Sequence, residues 1–297
     1  MSHSPQASAA EQLGWAHVYA LEVARRRRTL WVGLAVFLVL ACIAGPVAEV
    51  RPQVFVQQLG GFANYLQRIM PDISAAHPLQ DVREWYWGLG RWLVLLGETL
   101  LIAYLGTLFG VLGGFVLSFL ASANLTPARW VRFVARRLAE FCRTVPDMVF
   151  ALLFVLAFGI GPMAGVLALA VHSAGALCKL FSEVVENIDM KPVDGIIAAG
   201  GSWRQTVRYA VLPQVAPNFA SYAMLRFDIN VRAASIMGFV GAGGIGEQLM
   251  VAIRQFYYTD VSAILLLIIA TVMLIDFASE RLRHLLAAGS AARQRST

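Results

Sequence analysis

Long apolar blocks recur along this 297-residue chain and set the class of protein that it can form. A helix needs about 20 apolar residues to cross the hydrocarbon core of a bilayer. Hydrophobic residues make up 58% of the chain and charged residues 14%, whereas an average soluble domain is about 25% charged. The sequence therefore excludes a soluble globular protein and a disordered one, and it predicts a bundle of membrane-spanning helices.

Six apolar blocks predict an all-α membrane protein with about six transmembrane helices. A polar segment, 1–29, precedes the first span at 30–50, and a mixed segment with short amphipathic helices occupies 51–92. The other five spans fall within 93–285, and a short tail follows at 286–297. Their approximate bounds are 97–122, 147–159, 163–181, 217–240 and 261–277.

Basic residues indicate how these spans are oriented. With six spans and the N-terminus inside, most of the 24 lysines and arginines fall in cytoplasmic segments, including Arg25–Arg28 and the loop 123–146. Membrane proteins retain lysine and arginine on the cytoplasmic side. We therefore expect both termini in the cytoplasm and 51–92 outside it. The net charge of +6 is explained by this topology, so no nucleic-acid partner is expected.

Small residues recur at every fourth position of the second span. They are Gly106, Gly110, Gly114, Ser118 and Ser122. Residues four apart share one face of a helix, and small side chains allow another helix to approach closely. The pattern predicts a close helix–helix contact, with a chance distribution of glycine as the alternative.

The fifth span carries charged and polar side chains at membrane depth. Asp228 and Arg232 are four apart and can pair along one face, whereas Arg226 and Asn230 fall on nearly the opposite side. Three unpaired charges would cost roughly 8–10 kcal/mol on an insertion scale, so this helix does not face lipid. The pattern indicates either a helix that lines a translocation path or a structural ion-pair network.

Other reactive side chains do not form a pattern typical of an enzyme. Only His172 of the five histidines lies in a predicted span, and Cys42, Cys142 and Cys178 form no CxxC motif. A metal site, a disulfide framework and a membrane-embedded enzyme are therefore not expected. A histidine on an apolar helix is more typical of packing than of a substrate path.

The cytoplasmic loop at about 186–213 has the pattern of two short helices. Gly200 and Gly201 break the first helix and let a second begin at a new angle. The second helix has an apolar face, formed by Trp203, Val207 and Val211. Its charged face is formed by Arg204 and Arg208. Such a helix is typical of a docking element for a soluble partner, with a helix lying on the lipid interface as the alternative.

This loop resembles the EAA loop of ABC-importer permeases, which reads Glu-Ala-Ala, three residues, Gly, a further run and then Leu-Pro. Aligned on Leu212-Pro213, the motif glycine falls on Gly200. Asp194-Gly195-Ile196 stands where Glu-Ala-Ala is usual, so only the acidic character is retained there.

Further motifs, over about Gly97–Leu285, resemble the phosphonate-type subfamily of these permeases. The most specific is an arginine-bearing helix followed by a glycine run. The motifs are Arg143–Pro146, Gly161-Pro162, Lys179–Glu183, Leu212–Phe219, Arg226–Arg232 and Gly238–Gly246.

The resemblance implies a type I ABC importer permease of the bacterial inner membrane, with a cytoplasmic coupling helix and a pathway for phosphonate or a related phosphorus oxyanion. It implies a homodimer, two cytosolic ATPase subunits and a periplasmic binding protein, with membrane lipid around the spans. ATP and magnesium are used by the ATPase. The chain has no G-x-x-x-x-G-K-[ST] motif, so we expect it to bind no cofactor and to be no enzyme.

The resemblance also assigns roles to residues. ATPase coupling falls on Asp194, Ala198, Ala199, Gly200, Gly201, Trp203, Arg204, Leu212 and Pro213. The pathway falls on Arg226, Asp228, Asn230 and Arg232, with Asp228 holding Arg232 in place. Guanidinium groups suit phosphonate oxygens geometrically.

The glycine run provides candidates for a gate or hinge, Gly241, Gly243, Gly244 and Gly246. It matches G-x-G-x-x-G, which indicates a dinucleotide site only between a strand and a helix. Because it follows a membrane helix here, a flexible turn between the fifth and sixth spans is favoured.

Two alternatives stay open at this point. A permease for phosphite, hypophosphite, phosphate or, more distantly, methionine would have the same architecture. An ion-coupled carrier would use the intramembrane charges without an ATPase, so co-purification with an ATPase subunit separates it from an ABC permease.

Overall fold

A computed structural model describes residues 9–48, 51–74 and 76–294, and that part of the chain is helical with no strand. The prediction of an all-α protein is therefore confirmed. The chain divides between Gln67 and Arg68 into two units. The outer ends of the predicted N-terminal segment and of the predicted tail, residues 1–8 and 295–297, lie outside the described residues.

The first unit contains α1 (Ala9–Val47) and most of α2 (Pro52–Ile69). Val18–Val47 of α1 is long and apolar enough to cross a membrane, and its apolar side chains are exposed. The predicted first span thus belongs to a longer helix. α2 is one of the helices expected in the segment 51–92.

The second unit is a bundle in which the described residues form ten further α-helices. They are α3 (Pro78–Trp85), α4 (Leu89–Ala121), α5 (Arg129–Thr144), α6 (Asp147–Phe158), α7 (Pro162–Glu186), α8 (Lys191–Ala198), α9 (Trp203–Thr206), α10 (Leu212–Met237), α11 (Ile245–Arg254) and α12 (Tyr258–Gln294).

Within the described residues, four helices are long and apolar enough to span a bilayer, and the number reaches the predicted six if each of two bent pairs is one span. The single helices are α1, α4, α7 and the first part of α12, Tyr258–Arg283. In the first pair, α5 and α6 meet at a bend of 88°. In the second, the continuous helix Trp203–Val240, which includes α10, meets α11 at a bend of 45°.

The third span differs from its prediction. α6 matches the predicted 147–159 but has only 12 residues, about 18 Å of helix against about 30 Å of hydrocarbon. The arginine-rich segment before it was predicted to be a loop, but most of it forms the helix α5, which meets α6 at the bend. Val145 is extended, with φ −71° and ψ 125°, because the residue before Pro146 is disfavoured in the α region.

The stripe of small residues on α4 packs directly against α7, which confirms the close contact predicted from it. A Cβ at Gly106, Gly110 or Gly114 would lie 2.6, 2.5 or 2.9 Å, respectively, from a Cβ on α7. The facing residues, again four apart, are Leu169, Ser173 and Leu177. Since real Cβ atoms do not approach so closely, only glycine permits this helix separation.

We expect Gly110→Ala to lower the free energy of unfolding of the purified protein in detergent by about 1–3 kcal/mol, because the added methyl group would separate α4 from α7. A lower thermal unfolding midpoint would show this. Gly97→Ala on the same helix is the control. Its Cβ meets nothing within 4 Å, so stability should be unchanged or slightly raised. Equal losses in the two variants would contradict the close-packing interpretation.

Candidate functional site

A polar cluster, Thr107, Ser173, Arg226 and Asn230, joins three helices inside the bundle. Asn230 Nδ2 on α10 donates to Thr107 Oγ1 on α4 at 2.8 Å and to Ser173 Oγ on α7 at 2.9 Å. Arg226 Nε donates to Ser173 Oγ at 3.0 Å. Asn230 is fully buried, so these bonds satisfy an amide that would otherwise be costly in the membrane.

Arg226 uses only its Nε donor within the polar cluster. Within the described part of the chain, neither Nη1 nor Nη2 of Arg226 has a hydrogen-bond or ion-pair partner. Both atoms reach solvent-accessible space, since the buried side-chain atom without a partner in that part is Asn124 Oδ1. A guanidinium whose outer edge is open in this way can bind an oxyanion through two parallel bonds.

Two further titratable groups interact electrostatically with Arg226. Asp147, the first residue of α6, and His172 on α7 are close enough for their charges to interact with that of Arg226. His172 is half-buried, and its Nδ1 lies 3.0 Å from the carbonyl oxygen of Val145. Neither residue was among the predicted site residues, because an isolated charge at a helix start and a lone histidine give no sequence signal.

Asp228 and Arg232 form the predicted ion pair. Arg232 Nη2 and Nη1 donate to the Asp228 carboxylate at 2.7 and 3.3 Å. The Asp228 side chain is 3% exposed, whereas that of Arg232 is 46% exposed. The four pathway residues therefore do not form one group. Arg232 is neutralised by its own helix, and Arg226 is not.

The turn after α8 has the geometry of a Schellman motif. Gly200 has φ +79°, and the amides of Gly200 and Gly201 donate to the carbonyls of Ile197 and Ile196, each at 2.9 Å. A glycine at this left-handed position is the common way to end a helix. The break predicted at Gly200-Gly201 is confirmed, and Ala198 and Ala199 lie exposed just before it.

The helix after this turn begins with a capping box. Ser202 and Gln205 satisfy each other's backbone at its start. Arg204 and Arg208 are exposed and Val211 is fully buried, so the helix is amphipathic as predicted, but Trp203, predicted on the apolar face, is 47% exposed. It differs from the prediction at its end, because a π-helical turn, Val207–Val211, continues it into α10 without a loop.

Leu212 and Pro213 are consequently the first residues of α10 rather than the end of the coupling helix. Pro213 has no amide hydrogen to donate, and the π-helical turn just before it ends with the Leu212 amide bonded to the Val207 carbonyl. Asp194, in the first turn of α8, is exposed on the same loop. The loop is therefore connected rigidly to the helix that carries Arg226.

A second connection runs from Trp203 to the loop after α4. Trp203 Nε1 donates to the carbonyl of Leu125 at 3.2 Å. The same loop is held to α7 by Asn124, which donates to the carbonyl of Val185, and by the Ala123 amide, which donates to Glu186 at 2.7 Å. These contacts link the segment that begins at Trp203 to α4 and α7, and they were not visible from sequence spacing.

The glycine run is buried and closely packed. Gly241, Gly243 and Gly244 have φ values of +83°, +82° and +80°, which disfavour other residues. A Cβ at Gly246 would collide with the carbonyl oxygen of Ser235 on α10. Thr99 Oγ1 accepts the Ile245 amide at 2.9 Å and fastens the start of α11 to α4. The run breaks the helix in the bundle interior, and its role as gate or hinge stays a prediction.

Bent spans, an internal polar cluster and an amphipathic loop between spans are together typical of a membrane permease. Residues 106–290 match the family described as binding-protein-dependent transport system inner membrane component. The chain belongs to this family and is an inner-membrane component of a transport system.

Relatives of known name are similar over most of the second unit. A phosphite transport system permease protein of Stutzerimonas stutzeri is 43% identical over 66% of this chain and 71% of its own length. A phosphate-import permease protein of Mycolicibacterium smegmatis is 42% identical over 64% of this chain and 36% of its own length. These similarities confirm the resemblance to phosphonate-type permeases.

Solved structures show the same fold. The MetNI methionine ABC transporter in inward-facing conformations has a TM-score of 0.56 at 21% identity, over 66% of this chain and 95% of its own. An amino acid ABC transporter has a TM-score of 0.54 at 18% identity, over 67% and 97%. At these identities the likeness concerns the fold alone, and it confirms the type I ABC importer permease architecture.

We expect Arg232→Met to destabilise the protein more than Asp228→Asn. The first leaves an almost fully buried carboxylate unpaired, a loss of about 3–5 kcal/mol. The second leaves a half-exposed guanidinium that water can solvate, so about 1 kcal/mol is expected. The double variant should recover most of the loss. Unfolding midpoints in detergent measure this cycle, and equal effects of the single variants would refute the asymmetry.

We expect Gly200→Ala to loosen the turn after α8, because alanine at φ +79° costs about 1–2 kcal/mol. Amide hydrogen exchange over 196–203 should then accelerate roughly 5- to 30-fold, as measured by mass spectrometry. Gly195→Ala is the matched control, since its Cβ also enters open space but its φ is not positive. Unchanged exchange in both variants would show that the turn does not depend on glycine.

Proposed function

We propose that this chain forms the translocation pathway of an ATP-driven importer for a phosphorus oxyanion, in the class of phosphonate and phosphite. The observation that carries the proposal is the open guanidinium of Arg226 inside a membrane bundle. A cation at this depth without an ion-pair partner is costly unless water or an anionic ligand compensates it. The names of the related permeases support the same substrate class.

We further propose that the exposed surface of α8 and α9 docks a cytosolic ATPase subunit, which binds ATP and magnesium, and that this chain itself binds no cofactor and catalyses no reaction. The continuous helix from Trp203 to α10 supports this. A displacement of the docking surface would reach Arg226 through one helix, without an intervening loop to absorb it. A periplasmic binding protein would deliver the substrate.

The assembly that we propose is a homodimer with both termini in the cytoplasm. One face of α10 is uncovered and carries Ile229, Arg232 and Ile236, of which the isoleucines are 38% and 49% exposed. Because charged residues of a span do not face lipid, this stripe requires protein or a water-filled path beside it. A second copy of the chain, meeting the first along this stripe, would supply both.

Growth of the host on single phosphorus sources tests the function. We expect deletion of the gene to abolish growth on phosphite or on methylphosphonate, and the wild-type gene to restore it. Arg226→Ala should fail to restore growth although it is produced and inserted normally, and Arg226→Lys should restore it in part, since one amine cannot replace the guanidinium fork.

Thr126→Ser, which keeps the hydroxyl group that donates to the Phe119 carbonyl, is the control for expression from the same vector, and it should restore growth fully. Growth that persists on every phosphorus source after deletion of all importers of this family would refute the substrate class. Full complementation by Arg226→Ala would refute the role of Arg226.

A further inference from the structure

The hydrogen bond of His172 fixes which of its ring nitrogens carries the proton. Nδ1 lies 3.0 Å from the carbonyl oxygen of Val145, and a carbonyl only accepts hydrogen bonds. Neutral His172 is therefore protonated on Nδ1, and Nε2 carries a lone pair. Within the described residues Nε2 has no partner, and it is not among the buried unpartnered atoms. His172 thus presents an open acceptor on α7, one residue from Ser173, to which Arg226 is bound.

Three elements place charge around this acceptor. The charges of Arg226 on α10 and of Asp147 at the start of α6 both act on His172, and the Val145 carbonyl holds the ring from the turn before α6. Ser173, the neighbour of His172 on α7, accepts from Arg226 Nε and directs the rest of that guanidinium away from the polar cluster.

We propose that Arg226 and His172 form a binding site for the singly protonated form of a tetrahedral phosphorus oxyanion. The guanidinium edge donates to two unprotonated oxygens, and His172 Nε2 accepts the hydrogen bond of the remaining P–OH group. This inference rests on the proposed function, which supplies the substrate class, and it makes His172 a residue that determines which protonation state is carried.

The charges around the site favour the monoanion over the dianion. A dianion has no P–OH group to donate to Nε2, and its third oxygen would place a lone pair against another lone pair. It would also add a second negative charge near Asp147. Phosphoryl groups of this kind exchange their second proton near neutrality, with a pKa of about 6 for phosphomonoesters, so both forms are available to a permease.

The test uses the complete transporter, reconstituted in liposomes with its ATPase and binding protein, and measures uptake of phosphite from pH 6 to pH 8. Two variants separate the ring nitrogens. In His172→Asn the amide can still donate to the Val145 carbonyl, but the atom at the Nε2 position is gone. In His172→Gln the amide oxygen reaches the Nε2 position, but the bond to Val145 is lost.

We expect His172→Asn to lower uptake roughly tenfold at pH 6, the effect of one lost hydrogen bond to an ionic ligand. The deficit should shrink toward pH 8, because the dianion predominates there and the variant lacks the Nε2 lone pair that opposes it. His172→Gln should retain more uptake than His172→Asn at pH 6. Since all samples share one binding protein, its own pH dependence cancels in each ratio of variant to wild type.

The opposite order of the variants would overturn the inference. If His172→Asn transports like wild type and His172→Gln is impaired, His172 only braces Val145. A deficit in His172→Asn that is constant with pH would likewise exclude recognition of the P–OH group. If wild type itself transports neither phosphite nor methylphosphonate, the proposed function fails first, and the two failures are thereby distinguished. Monodispersity of each variant in detergent verifies folding.

Discussion

The close contact between α4 and α7 is the constraint on which the rest of the bundle depends. Three glycines on α4 face three residues of α7 at distances that allow no side chain between them. This contact places Thr107 and Ser173 on either side of the Asn230 amide. A wider separation of the helices would leave a fully buried amide unsatisfied, so the packing of small residues and the polar cluster support each other.

The cluster in turn determines what Arg226 can do. Its Nε is engaged by Ser173, which orients the guanidinium without neutralising it. Arg232, six residues along the same helix, is held instead by the buried Asp228 carboxylate. One arginine of α10 therefore has a structural partner, and the other retains a charge that only a ligand, water or more distant groups balance. Fixed donors that need no rearrangement are what an anion site requires.

Continuity between the cytoplasmic loop and α10 gives this site a mechanical connection. The turn at Gly200 ends α8 firmly, and the helix that starts at Trp203 passes through a π-helical turn into α10. π-Helical turns inside helices are frequent at functional sites and relieve strain without breaking the backbone ladder. Trp203 also donates a hydrogen bond to the loop after α4. A movement of the segment that begins at Trp203 would therefore act on two faces of the polar cluster together.

Several features of the fold and the site were predictable from the sequence because they depend on local periodicity or on the cost of charge in lipid. The apolar blocks, the small-residue stripe, the Asp228–Arg232 pair and the glycine break at Gly200 are of this kind. The EAA-like loop and the arginine-bearing helix identified the family for the same reason, since these motifs are contiguous in the chain.

Only the tertiary structure showed which polar groups meet. Thr107 and Ser173 are ordinary hydroxyl residues in apolar helices, and nothing in their spacing connects them with Asn230. The bend at Pro146 brings Asp147 and the Val145 carbonyl to His172, although the arginines of α5 made that region resemble a loop. The sequence by itself determined that charge would enter the membrane on α10. Which arginine stays open to a ligand was decided by the packing of α4, α6 and α7 around it, because hydrogen bonds between helices depend on distances that no sequence period records.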